Sequence, residues 1–120
     1  MQLTVVFFEK ANELIVFQET RDLPPYYALE LIYRKARMAH LQNINNKAIS
    51  LYEQVIQQSG TVSETYYAPN SFLQIGYLYK ENNRIEEAMD YFSRVLNFKN
   101  HPYKKSLDNK ARLALASLEL

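Results

Sequence analysis

The sequence predicts an all-α fold, a stack of antiparallel helical hairpins, and three observations point to it. Two glycines and four prolines in 120 residues fall well short of the ~12% of an average chain, too few for the tight turns of a β-meander. From Pro25 onward apolar residues recur every three or four positions, the period of an amphipathic helix. The pattern Ala36…Ala48-x-x-x-Tyr52-x-x-Val55 then returns forty residues later as Gly76…Ala88-x-x-x-Phe92-x-x-Val95. A lone hairpin cannot bury both of its faces, so units repeated in this way stack on one another.

The elements follow in order. Thr4, Phe8, Ala11 and Ile15 make one helical stripe, although TVVFF and LIVF favour strand on propensity alone; helix is expected there because the neighbours are helices. The next helix opens at Pro25, suited to a first position where an N–H has no partner, and carries Leu29, Ile32, Ala36 and Ala39. A helix over 44–58 follows with Ala48, Tyr52 and Val55 inward and Asn43 as its expected cap. SGTVSETYY is polar and irregular and is expected to be the one long loop. A third helix starts near Pro69, carries Phe72, Ile75, Gly76 and Tyr79, and stops at Glu81-Asn82-Asn83. Asn83, with Glu86 three residues on, reads as the capping box of a helix whose buried stripe is Ile85, Ala88, Phe92 and Val95. Asn100-His101-Pro102 ends it, and a last helix over 103–118 presents Leu107, Ala111, Ala114 and Leu118.

In Phe72-x-x-Ile75-Gly76-x-x-Tyr79…Ala88-x-x-x-Phe92-x-x-Val95 the chain resembles the tetratricopeptide-repeat family. The first copy departs from the family pattern at Lys35, where an apolar residue is usual, and at Ala39, where an aromatic is. The resemblance implies a right-handed α-solenoid in a single domain over 1–120. Its parts would be the second helix of a truncated repeat (1–22), repeats over 25–58 and 68–98, and a capping helix over 103–120. On this view the chain is the C-terminal part of a longer multi-repeat protein, since Phe7-Phe8-Glu9-Lys10-Ala11 reads as the end of a second helix.

Few residues propose chemistry. Without cysteine there are no disulfides, thiol nucleophiles or cysteine zinc sites, and phosphate loops need more glycine than is present. His40 and His101 have no ligand-forming neighbours at helical spacing, so no metal or cofactor is expected. Glu86 and Glu87 lie in a helix's first turn, where negative charge suits the macrodipole. No Gly-x-Ser-x-Gly elbow occurs, and no catalytic residue is expected.

Charge is equally uninformative about anionic partners. The formal net charge is +1, too little to attract nucleic acid or a membrane surface. The basic groups Arg34-Lys35-Arg37 and Lys104, Lys105, Lys110 and Arg112 are partly explained by Glu30–Arg34 and Asp108–Arg112 pairs one helical turn apart. In the last helix Lys104, Lys105, Asp108 and Lys110 are expected to face water. No apolar run of eighteen residues exists to cross a bilayer, and the first residues lack the basic leader and cleavage site of a signal peptide. No nucleic-acid partner and no membrane insertion are expected; the compartment is left open by the sequence, with the cytoplasm favoured.

The resemblance implies a protein-interaction scaffold whose leading helices line a groove for a peptide or partner helix. Aligning Ala36 with Gly76 places Tyr33, Arg34, Arg37 and His40 in that groove from the first copy, and Asn70, Leu73, Gln74 and Tyr77 from the second. The family's lysine and asparagine clamp for a C-terminal carboxylate is not matched, because Tyr33 and Arg37 stand at those positions. Two alternatives accompany this reading. One is a homodimer formed through Phe7, Phe8, Leu14 and Phe17; the other is a regulatory part of a larger signalling or envelope-associated protein.

Overall fold

The computed structural model of the protein describes residues 24–59 and 65–118. The helix expected over the first twenty-two residues, the dimerising face containing Phe7, Phe8, Leu14 and Phe17, and most of the long loop lie outside the described residues. The rest forms five helices: α1 (Pro25–Leu41), α2 (Asn45–Gln58), α3 (Tyr67–Glu81), α4 (Ile85–Val95) and α5 (Lys104–Leu118). No strand occurs among the described residues, as the all-α expectation requires. Helices α1 with α2 and α3 with α4 are hairpins; the leading helices α1, α3 and α5 also touch in that order, so α3 packs against all four others.

Two buried clusters hold the stack together. Leu29, Ile32, Ala36, Ala39, Ala48, Leu51, Tyr52 and Val55 meet Ile75 and Leu78 of α3 in the first. Phe72 and Leu73 of α3 meet Ala88, Phe92, Val95, Leu107, Ala111 and Ala114 in the second. Helix α3 thus gives apolar side chains to both, which is why nine of its fifteen residues are buried. It starts two residues before Pro69 because a proline in the first turn forfeits an N–H that has no helical partner there. The stripe of α4 is shorter than its spacing suggests. Ala88, Phe92 and Val95 are fully buried, whereas Ile85 is exposed. The helix also stops well before Pro102, in a turn tightened by the bonds Leu96 N–Ser93 O and Asn97 N–Arg94 O, both 3.2 Å, after which the Phe98 ring packs on Phe72 at 5.5 Å.

The forty-residue offset extends to backbone hydrogen bonds. Ile44 N donates to Ala39 O at 3.0 Å and Arg84 N to Tyr79 O at 2.9 Å; Asn43 N donates to His40 O at 3.0 Å and Asn83 N to Lys80 O at 3.1 Å. These are the paired bonds of a Schellman motif, which closes a helix through one residue in the left-handed region. Asn43 and Asn83 are those residues, with φ of 61° and 60°. The capping roles expected from the sequence are therefore corrected. Neither asparagine caps the following helix; Ile44 and Arg84 hold those positions without a side-chain cap bond. Asparagine serves both purposes, so its identity alone does not distinguish the end of one helix from the start of the next. Motifs of this kind bring the residue after the left-handed one against the last turn. In the second hairpin that contact is Arg84 over the Tyr79 ring at 5.1 Å.

Helix α5 also differs from expectation in its charges. Asp108 is buried, not in water, and pairs with Lys104 at 2.8 Å rather than with Arg112. Lys104 reaches it while also donating to Phe98 O at 2.7 Å. His101, in the turn before this helix, is buried, with Nδ1 3.0 Å from Pro102 O.

Substitution at Asn83 separates the two roles. Serine is as good an N-cap as asparagine but a poor left-handed residue, at a cost of about 1 kcal/mol. Asn83→Ser should therefore lower stability in chemical denaturation by about 1 kcal/mol while Asn83→Gly does not lower it; a neutral Asn83→Ser would restore the cap.

Candidate functional site

The largest fully buried side chains are Tyr52 and Phe92, forty residues apart, each filling the space between its hairpin's helices. A buried phenol needs a hydrogen-bond partner and a buried phenyl ring does not. Arg37 Nη1 donates to the Tyr52 hydroxyl at 3.2 Å, and that hydroxyl lies 3.0 Å from His40 Nδ1. Arg37 can only donate, so the Tyr52 hydroxyl accepts from it and keeps its own proton, which His40 Nδ1 accepts in the tautomer that leaves that nitrogen unprotonated. Tyr77 and Lys80 occupy the corresponding places in the second hairpin. There the ring of Phe92 asks for no polar partner: Tyr77 packs on it at 5.3 Å, and Lys80 Nζ reaches across to Ser117 Oγ of α5 at 3.1 Å.

The eight groove residues expected from the sequence consequently divide. Tyr33 is buried, and its hydroxyl accepts from the Asn70 side chain; Gln74 Nε2 in turn donates to Asn70 Oδ1 at 3.3 Å. Arg37 and His40 are half-buried and committed to Tyr52. Arg34 is exposed and pairs with Glu30 at 3.0 Å. Leu73 is fully buried and offers no surface, a correction to its expected place in the groove. It sits one turn from Tyr77 on a helix with two buried faces, and periodicity cannot say which face a neighbouring helix will cover. Asn70, Gln74 and Tyr77 keep partial exposure.

An aromatic cluster that the sequence reading passed over lies beside them. Tyr33 contacts Tyr67 at 4.9 Å and Tyr66 at 5.7 Å, and Tyr66 contacts Tyr103 edge-on at 5.8 Å. The available signal was the identical triplet Tyr26-Tyr27-Ala28 and Tyr66-Tyr67-Ala68 at the same offset. Burial pushes the Tyr33, Tyr52 and Tyr67 hydroxyls well above the ordinary phenol range, so they remain neutral hydrogen-bonding groups.

Two open pockets lie between α3 and α5. One, of about 360 Å³, is lined by Tyr66, Asn70, Tyr103, Ser106, Leu107 and Lys110. The other, of about 280 Å³, is lined by Tyr77, Lys80, Lys110, Leu113, Ala114 and Ser117. Lys110 lines both, so the two adjoin and together make up the trench between α3 and α5. Among the described residues no three metal-ligating side chains converge, and no helix is long and apolar enough to cross a membrane.

Residues 69–101 match the family model described as Tetratricopeptide repeat. The matched span covers α4, the helix turn before it and nearly all of α3, the hairpin holding Gly76 and Phe92. Over these residues the chain is similar to the tetratricopeptide-repeat family. No curated protein and no solved structure matches it. The repeat is a protein-interaction module, typically non-catalytic, and the helical stack is the form such repeats take.

The Tyr52 network carries a pH dependence. Burial, and then the neighbouring Arg37 charge, hold His40 below the ordinary imidazole range against an opposing pull from Glu81. Above the unfolded value of about 6.5 the imidazole is neutral folded and unfolded; below it the unfolded chain takes up the proton first. Stability should therefore fall as pH drops through about 6.5, and His40→Gln should lose less between pH 7.5 and 5.5, as read by urea denaturation; equal losses would contradict the assignment.

Proposed function

We propose that the chain is a non-catalytic scaffold whose leading helices α1, α3 and α5 bind a peptide segment of another protein. The observation that carries this is the trench between α3 and α5, whose two pockets share Lys110 and are flanked by Tyr103 and Leu113, each 72% exposed. Large exposed apolar groups beside a concavity with a few polar groups are the ordinary composition of a recognition surface. The repeat family supports the same reading. Of the groove residues expected from sequence, Asn70, Gln74 and Tyr77 remain contact residues in this proposal, and Arg34 stays with Glu30 at its margin. Tyr33, Arg37 and His40 instead support the wall behind them.

The α1–α3 side of this face is occupied by its own hydrogen bonds: Arg34 with Glu30, Tyr33 with Asn70, and Arg37 and His40 with Tyr52. A partner there must first displace partners already in place, and each such exchange returns little net free energy. On the α3–α5 side Asn70 is bonded to Tyr33 and Gln74 and Lys80 to Ser117, while Tyr103, Leu113 and Lys110 carry no side-chain hydrogen bond or ion pair to displace among the described residues.

Peptides selected from a random display library against the full chain, added to isotopically labelled protein, should perturb backbone amides of α3 and α5. Perturbations confined to α2 and α4 would contradict the proposal, as would failure to select any peptide.

A further inference from the structure

The trench carries a distribution of charge that narrows the partner. Elsewhere on the described surface cations meet carboxylates, among them Arg34 with Glu30, Arg84 with Glu87, Arg94 with Asp90 and Lys104 with Asp108. The two lysines of the trench do not share this arrangement. Lys80 bonds a hydroxyl, Lys110 makes no ion pair among the described residues, and neither pocket has an aspartate or glutamate in its lining. With a net charge of only +1 on the whole chain, two lysines in one concavity are a local feature. They leave a cationic floor with no internal counter-charge.

Its edges have a second peculiarity. Tyr103 has a φ of 63°, a region that a bulky residue enters only when its surroundings hold it there. What this conformation supports is an exposed ring at the lip of the first pocket, edge-on to Tyr66 at 5.8 Å. Glycine or asparagine would meet the backbone demand without strain; the chain itself gains from tyrosine the edge contact with Tyr66, and most of the ring is left exposed. Leu113 occupies the matching place at the second pocket, equally exposed.

We propose that this trench docks an extended acidic segment of another protein, its carboxylates on Lys80 and Lys110 and its apolar or aromatic side chains against Tyr103 and Leu113. This rests on the reading of the leading-helix face as the binding face and commits it to one half of that face and one partner chemistry. Charge complementarity sets the specificity: a basic segment would meet like charge, and a neutral one would leave both ammonium groups desolvated without compensation. The exposed apolar groups supply the non-directional part of the affinity.

The test uses a random dodecapeptide display library on the full chain, followed by fluorescence anisotropy titrations of the selected peptides. Selected sequences should be enriched in aspartate and glutamate beside aromatic or aliphatic residues. Lys110→Glu and Lys80→Glu, both on exposed stretches of helix, should each weaken them at least about tenfold, and peptides with the acids exchanged for lysine should regain affinity for Lys110→Glu. Tyr103→Gly should weaken binding without lowering the melting temperature. Peptides with no acidic enrichment, or whose binding survives both lysine reversals while amides of the leading helices still respond, would overturn the inference and leave the binding face standing. Binding that maps to α2 and α4 would overturn both. Capture of a single-stranded oligothymidine in the trench, lost in Lys110→Glu while no peptide binds, would overturn the acidic partner in favour of nucleic acid.

Discussion

Each hairpin depends on how closely its leading helix approaches its trailing one. In the second hairpin a Cβ placed on Gly76 would fall 2.5 Å from Phe92 Cε1 and 2.7 Å from Cδ1, so the ring occupies the space a side chain would need. Ala36 and Tyr52 stand at the equivalent positions of the first, in one buried cluster, with Ala48 and Ala88 as the small residues of the trailing helices, all fully buried. Removing a ring of this size from a core costs about 3–5 kcal/mol, a large part of the ~5–15 kcal/mol that holds a domain together. Small residues at these positions set the distance between the helices, and the aromatic fills it.

The same contact decides what is left for recognition. Choosing tyrosine at 52 introduces a hydroxyl into the core, and the hydroxyl draws Arg37 and His40 inward to satisfy it. Choosing phenylalanine at 92 makes no such demand, and the corresponding Tyr77 and Lys80 remain on the face that α5 completes. One oxygen atom thus separates a wall whose polar groups are spent from a trench whose polar groups are available. The repeated scaffold is nearly the same in the two hairpins, and its surfaces are not.

Much of the scaffold was legible because its signals are local. Helical periodicity, Pro25 at a first position and the small–aromatic spacing each rest on interactions within a few turns, and α1 to α5 follow them closely. Asn43 and Asn83 were misassigned because one residue type suits two adjacent positions of opposite backbone hand. The site was less legible for a different reason. Leu73 and Tyr33 lie on a helical face that is inner by alignment, yet neighbouring side chains bury them, and burial between helices is a property of tertiary packing that spacing does not encode. Lys110 and Tyr103 were overlooked because α5 read only as a cover for the last hairpin, although the Tyr-Tyr-Ala triplets already marked an aromatic edge running from α1 to α3.

The central constraint is open to a direct measurement, a double-mutant cycle between Gly76 and Phe92 followed by chemical denaturation. Alanine in place of glycine favours a helix by about 1 kcal/mol in isolation, whereas overfilling a packed contact costs about 1–3 kcal/mol. Gly76→Ala should therefore destabilise the protein carrying Phe92 and be neutral or stabilising in a Phe92→Leu background, with a coupling of at least about 1 kcal/mol. The same change in both backgrounds would show that the helices are not held at the distance set by this ring, and the account of both hairpins would fail with it.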